Sequence, residues 1–215
     1  MVTQASPVSP ADVIETSRLR LQRWDDSHFE NFLQFMGDPD VIRYIRPAPL
    51  TAEKGAEHHA RSLEEWELHG FGKRGVVDAT TGEWLGFVEL SLVGPGKGCR
   101  EDDVEIGYFI TPSRWGEGLA TEAAIAVRDE AFGRVGLSEL LGRCGVDNVA
   151  SARVMQKASF RYVRTHVLAE GVRVDIHRIR RREWQRSRIG TLDHGARGRL
   201  PEAGGGRRAG YRETG

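Results

Sequence analysis

Glu105-Ile-Gly-Tyr-Phe-Ile-Thr-Pro-Ser-Arg-Trp-Gly-Glu-Gly-Leu-Ala-Thr-Glu-Ala123 is the stretch whose reading decides the fold. Its first half lies in a segment, 103–111, that reads as a strand, and Pro112 ends it. Its second half opens a helix over 116–134, with Ala120, Ala123, Ala124, Val127 and Ala131 on one face. Between them Gly116 and Gly118 form a tight turn. The first turn of a helix leaves backbone N–H groups unpaired and partly positive, and glycine lets the main chain approach an anion closely. The turn therefore reads as a phosphate cradle made of main chain, with Arg114 adding charge and the Thr121 hydroxyl able to donate. An ordinary strand–helix turn accounts for the same local pattern. It is not a Walker loop, because no GK[ST] closes it, nor a dinucleotide fingerprint, because GxGxxG is incomplete. The GPGKG run at 94–98 leads into a strand and reads as a hairpin turn.

Outward from this unit, Arg18–Trp24 alternates as a strand. Asp25 or Asp26 caps a helix through Met36, Asp38-Pro39-Asp40 breaks it, and a short helical turn over Val41–Ile45 follows. Thr51 opens a polar helix, 51–69, which Gly70 and Gly72 end. Strands at 73–78, 83–93 and 103–111 have short links and read as an antiparallel meander. After the 116–134 helix come a strand at 137–146, a helix at 149–158 and closing strands at 159–169 and 172–183. The strand–helix–strand at 103–146 is long enough for a parallel crossover. The fold class is α/β with a mixed sheet, an antiparallel meander followed by β-α-β-α-β-β.

The chain has 215 residues, 39% hydrophobic, with 31 basic and 31 acidic side chains. This suits one domain with one core, and zero net charge disfavours a nucleic-acid or membrane surface as the main partner. No apolar run could span a bilayer, and the N-terminus lacks the basic start and apolar stretch of a secretory signal. Cys99 and Cys144, without CxxC or ligand spacing to His, read as reduced thiols in a cytoplasmic protein that holds no metal. The zero hides an asymmetry, because 186–215 holds seven Arg, three acids and eight Gly. Subtracting these leaves 24 basic and 28 acidic residues in 1–185. The tail, 186–215, has no apolar period and reads as disordered, as does 1–14, leaving 15–185 as the single folded domain.

The 105–123 stretch closely resembles motif A of the GNAT N-acetyltransferases, and looks most like the RimJ/RimL branch, the ribosomal-protein N-terminal acetyltransferase type. Thr16-Ser-Arg-Leu-Arg-Leu21, Asp38-Pro-Asp-Val41 and Asn148-Val-Ala-Ser-Ala-Arg-Val-Met-Gln-Lys157 resemble further marks of that branch. The resemblance covers roughly 15–185 and implies a GNAT-like fold around a splayed central sheet. It implies acetyl-CoA as cosubstrate and a primary amine as acceptor, attacked directly in a ternary complex. Three departures stand out. Trp115 replaces the superfamily's usual Gln or Arg, Ala158-Ser159-Phe160 replaces Leu-Gly-Phe, and Met155 falls where many members carry an acid Tyr.

By this resemblance Phe109, Ile110, Thr111, Arg114, Trp115, Gly116, Glu117, Gly118, Leu119, Ala120 and Thr121 bind the cofactor. Asn148 and Ser151 complete that set. The pantetheine arm would run between strands 103–111 and 139–146, pairing main chain as an added strand does. A main-chain N–H near Tyr108 or Phe109 would hold the thioester oxyanion. Glu105 matches the base of some relatives, and Glu89 on the neighbouring strand is the second candidate. Ser151 matches the acid position. As ordinary residues, Glu105 and Glu89 are strand carboxylates in ion pairs, Ser151 is an early-helix serine and Asn148 is a helix N-cap.

His58 and His59 point to different faces and do not form a metal pair, and His166 and His177 suggest a cross-strand contact. Trp66, Trp84 and Trp184 read as core or edge aromatics. Asp40, Glu57, Glu64, Glu65 and Glu67 lie where the acceptor would enter and could draw a cation, though a solvated helix face accounts for the glutamates as well. The sequence narrows the acceptor only to a peptide N-terminus or a small amine, and leaves the protein a monomer or homodimer. The alternative is a non-catalytic module that grips RNA or ribosomes through the Arg-rich segment 178–188 and the basic tail.

Overall fold

The computed structural model describes residues 12–44, 48–169 and 171–186. The chain divides into two units at Arg181/Arg182, and of the second the described residues, 182–186, are helical. The first unit carries strands β1 (Val13–Glu15), β2 (Leu19–Arg23), β3 (Lys73–Asp78), β4 (Trp84–Leu92) and β5 (Val104–Ile110). β6 (Glu139–Gly145), β7 (Arg161–Val167) and β8 (Arg173–Arg180) complete one sheet in the order β1-β2-β3-β4-β5-β6-β8-β7. Every neighbouring pair is antiparallel except β5–β6, which is parallel.

The helices are α1 (Phe29–Phe35), α2 (Pro39–Ile42), α3 (Ala52–His69), α4 (Leu119–Gly133) and α5 (Val149–Lys157). Local chemistry sets their ends. The Thr51 hydroxyl accepts from Lys54 N at 3.3 Å and caps α3, which Gly70 ends with φ 67°. Asp25 caps the helical turn before α1 by accepting from Ser27 N, and Asp38 caps α2 by accepting from Asp40 N.

One core lies between the sheet and α1–α3. Trp24, Phe32, Phe35, Met36, Val41, Ile42, Leu50 and Trp66 pack on Phe87 of β4, and Phe109 of β5 joins from its edge. Phe87 and Phe109 face each other in register with ring centroids 4.5 Å apart. Residues alternate across a strand, so Val88 and Tyr108 point to the opposite face, where α4 and α5 pack. There Leu119, Ala123, Ala124, Val127 and Ala131 of α4 are all buried. A buried ion pair ties α4 to the sheet: Arg74 Nη2 donates to Glu130 Oε1 at 2.6 Å and Arg74 Nε to Glu130 Oε2 at 3.0 Å.

Several boundaries differ from the sequence reading. β1 pairs with β2 through Val13↔Gln22, Ile14↔Leu21 and Glu15↔Arg20, so order begins inside the segment expected to be disordered. Main-chain pairing needs no apolar period, which is why no pattern marked it. The short helix forms at Pro39–Ile42 because Asp38 caps it, two residues before the expected turn. α4 starts at Leu119, since Gly116 (φ 84°) and Gly118 (φ 81°) hold left-handed backbone that no helix continues through. β8 ends at Arg180 and residues 181–186 are helical, where a strand to 183 was expected. The disorder expected of 1–11 and 187–215 lies outside the described residues.

Candidate functional site

The parallel pair β5–β6 is the feature that creates room. Only two rows register, Glu105↔Leu141 and Ile106↔Gly142. From Gly107 to Ile110, β5 keeps its β4 partner alone, and from Arg143 to Gly145, β6 keeps only β8. The strands splay there, exposing main-chain donors and acceptors that an extended ligand can pair with. The cleft leads toward the glycine turn, where Gly116, Glu117 and Gly118 are exposed and no side chain caps the N-terminus of α4. A Cβ at Gly116 would meet nothing within 4 Å, so the turn is open to a ligand. Beside it lies a groove of about 380 Å³ lined by Thr16, Ser17, Arg18, Gly118, Thr121 and Glu122.

The cradle's own charge is arranged differently from the sequence reading. Arg114, expected to face the anion, is held by Glu117 at 2.9 Å, Glu83 at 3.1 Å and Asp78 at 3.2 Å. Its guanidinium is thus committed within the loop. Arg18 takes the neighbouring place, donating to the Glu117 carbonyl at 2.9 Å while its other nitrogens hold Glu122. Glu122 also accepts from the hydroxyls of Thr16 and Ser17 and from Arg18 N, so the loop before β2 is strapped to the first turn of α4. Burial resists that charge, but these donors outweigh it and lower the Glu122 pKa. Trp115 closes the end of β5, its indole N–H on the Ile110 carbonyl at 2.6 Å and Arg43 over its ring.

On the α4–α5 face, Tyr108 reaches across the splay. Its hydroxyl donates to the Ser151 carbonyl at 2.9 Å and lies 2.8 Å from Ser151 Oγ. Burial raises the phenol well above its ordinary pKa, so it stays protonated. Asn148 is the N-cap of α5, its Oδ1 accepting from Ser151 N at 3.0 Å, which leaves its amide NH2 for another acceptor. The Cys144 thiol is pushed up by burial and by the Asp175 charge, partly offset by a hydrogen bond with Ser151. Met155 packs against Gly142, where a Cβ would stand 2.2 Å from its methyl. The position of the absent acid Tyr is thereby filled with apolar volume, and Tyr108 and Ser151 are the hydroxyls of this face.

On the α1–α3 face, Glu105 is held on both oxygens by Arg143, at 2.6 Å each. Glu89 lies opposite Gly107 in register, with Lys73 Nζ 3.6 Å from its Oε2. The two candidate bases therefore share a face, while Ser151 approaches from the other. The side chains of Tyr108, Arg143 and Lys73 escaped the sequence reading. Tyr108 sits within the quoted stretch, whereas nothing local marks Arg143 or Lys73.

The remaining expectations resolve as contacts. His59 Nδ1 accepts from the Trp24 indole at 3.0 Å and His58 meets Arg61, so the two histidines diverge. The His177 ring meets Tyr162 across the β7–β8 pair, a cross-strand contact as expected, and the His166 ring lies over Gly98. Glu57 pairs with Lys54, Glu65 with Arg61, Glu67 with Arg23 and Asp40 with Arg43, so four of the five acids expected near the acceptor have a local cationic partner. Arg178 and Arg180 of the basic segment both pair with Glu139 on β6. GPGKG links two antiparallel strands, as a hairpin connection does. Among the described residues no cluster of His, Cys, Asp or Glu could hold a metal, and no helix is long and apolar enough to cross a membrane.

The site thus joins a splayed strand pair to a glycine-built helix N-terminus, with carboxylates on one face and hydroxyls on the other. Residues 18–161 match the model of the acetyltransferase (GNAT) domain family, and the chain belongs to it as an acyltransferase. It is similar to the uncharacterized N-acetyltransferase p20 of Bacillus licheniformis, 24% identical over 170 residues, 77% of this chain and 93% of that protein. It is also similar to the FsC-acetyl coenzyme A-N(2)-transacetylase of Aspergillus fumigatus, 28% identical over 165 residues, 71% of this chain and 66% of that protein. Among solved structures, the RimL ribosomal L7/L12 alpha-N-protein acetyltransferase in complex with coenzyme A superposes with TM-score 0.65. It is 18% identical and covers 78% of this chain and 97% of that one, a likeness of fold.

Proposed function

We propose that this chain transfers the acetyl group of acetyl-CoA to a primary amine, either a protein N-terminal α-amine or the amine of a small molecule. The observation that carries the reading is the splay itself. Exposed β5 and β6 main chain opens beside an uncapped helix N-terminus, in a chain of this family. The residues fit the cosubstrate. The Gly116–Thr121 main chain would take the diphosphate, Arg18 and Thr121 would border the groove for its nucleotide end, and β5 would pair the amide arm.

With the thioester beside Tyr108 and Phe109, a main-chain N–H of β5 would steady the developing oxyanion. Glu105 and Glu89 lie on the side from which the amine would enter, and a carboxylate there takes a proton from the incoming ammonium. Ser151, hydrogen-bonded to the protonated Tyr108, would give a proton to the departing thiolate. The names of the similar proteins point to N-acetylation, and the fold likeness to RimL makes a peptide N-terminus the first acceptor to try. Calorimetry with acetyl-CoA, followed by release of free thiol across a panel of peptides and small amines, tests the proposal. Micromolar binding with acceptor-dependent thiol release is expected, and absence of acetyl-CoA binding would overturn it.

A further inference from the structure

A lysine ammonium stands buried on the acceptor side of the sheet. Lys73 is 4% exposed. Its Nζ lies over the rings of Phe32 at 4.4 Å, Phe87 at 4.7 Å and Trp24 at 5.0 Å. Burying an ammonium is costly unless it is paired, and here the ring faces and the Glu89 carboxylate offset that cost. The charged groups that face it are Glu89 from β4 and Glu65 and Arg61 from α3, with Glu64 beside Glu65. Burial pushes the lysine down and the two carboxylates push it back up, while burial and then the Glu89 charge push Glu65 up.

Glu89 is placed for chemistry. Lys73, Glu89 and Gly107 form one row across β3, β4 and β5. A Cβ at Gly107 would stand 3.1 Å from Glu89 Oε1, so the carboxylate lies directly on the main chain of β5 where the splay begins. A side chain at this position would push the carboxylate back by a few tenths of an ångström. Glu105, two residues along β5 on the same face, has both oxygens bound by Arg143.

We infer that Glu89 is the group that takes the proton from the acceptor ammonium, and that Lys73 is the positioning residue that holds its carboxylate against Gly107. Glu105 then serves to anchor Arg143 across the splay. The inference rests on the N-acetyltransferase reading. Glu89 accepts one proton from R–NH3+, leaving R–NH2. The amine nitrogen bonds to the thioester carbonyl carbon, and the C–S bond breaks. The second nitrogen proton leaves as the thiolate gains one from Ser151, which is replenished from nitrogen. Glu89 then returns its proton to solvent, so one amine and one acetyl-CoA give one amide, one thiol and one proton.

The test uses Glu89→Gln, Lys73→Met and Lys73→Arg in the full chain, with kcat and KM across pH, acetyl-CoA affinity by calorimetry and a thermal melt. Glu89→Gln is expected to lower kcat at least about 100-fold and to leave acetyl-CoA affinity within about threefold. Lys73→Met is expected to melt no lower than the parent and to move the acidic limb of kcat/KM about one pH unit alkaline. Lys73→Arg should restore the limb. Full kcat in Glu89→Gln, or an unmoved limb in folded Lys73→Met, would overturn the inference. If the parent binds acetyl-CoA, such a result sinks this assignment alone, whereas a parent that binds none sinks the broader reading with it.

Discussion

Breaking the Glu105–Arg143 pair is expected to loosen the cleft more than it slows proton transfer. Arg143 lies just past the last registered β5–β6 row, Ile106↔Gly142, so the pair spans the point where the strands part. Its side chains are 18% and 16% exposed and its two hydrogen bonds are both 2.6 Å. Opposite charges at about 4 Å attract by about 4 kcal/mol at an effective dielectric of about 20. Desolvation of this mostly covered pair offsets part of that, leaving about 2 kcal/mol. For a domain of this size that is a fall in Tm of about 4–8 °C. Glu105→Gln keeps one acceptor oxygen and loses the charge, and Arg143→Gln removes the partner. Melting the two singles and the double closes a cycle whose coupling energy should be about 2 kcal/mol. The acetyl-CoA KM should rise several-fold in either single, with kcat falling less than in Glu89→Gln. Coupling below about 0.5 kcal/mol would refute the splay-pin argument. A kcat loss in Glu105→Gln matching that of Glu89→Gln would return the base to Glu105.

Other perturbations separate the remaining parts. Ser151→Ala should lower kcat by about 100-fold with acetyl-CoA affinity unchanged, and full kcat would remove Ser151 as the acid. Gly118→Ala places a Cβ 3.7 Å from Arg18 Nη2 in a backbone with φ 81°, so strain rather than collision decides its effect. A cost of about 1–2 kcal/mol in a melt and a weaker acetyl-CoA isotherm are expected, and an unchanged isotherm would refute the cradle. The N–H groups of Thr81 and Thr80, with Arg114 adding its charge, hold the Asp78 carboxyl at about 2, below its ordinary 3.8. A depressed native value stabilises the fold above the unfolded value and is lost as pH falls through about 2. The parent's urea midpoint should therefore fall between pH 4 and 2 more steeply than that of Asp78→Asn, and parallel curves would refute the linkage.

Much of the architecture was readable because its causes are local. Thr51 and Gly70 bound α3 through contacts within one turn, and β3 spans the residues that its flanking glycine and turn signals mark. Gly116 and Gly118 announced a turn that backbone conformation requires, although the helix begins after it. Candidate site residues were readable by type, as a carboxylate on β5, another on β4 and a hydroxyl at the start of α5. Their partners were not. Glu105 meets Arg143 from 38 positions away, and Tyr108 meets Ser151 from 43 positions away. Arg114 looked free in the sequence because Asp78 and Glu83, which bind it, belong to β3 and the turn before β4.

By itself the sequence determined the order of elements, the glycine turn and the family resemblance, because periodicity, capping and turn chemistry act over a few residues. Only the tertiary structure decided how far β5 and β6 stay paired, which charges are already neutralised, and that Lys73 stands in an aromatic cage behind Glu89. Register and burial are properties of several elements packed together. The chemistry of a carboxylate follows from what that packing leaves beside it.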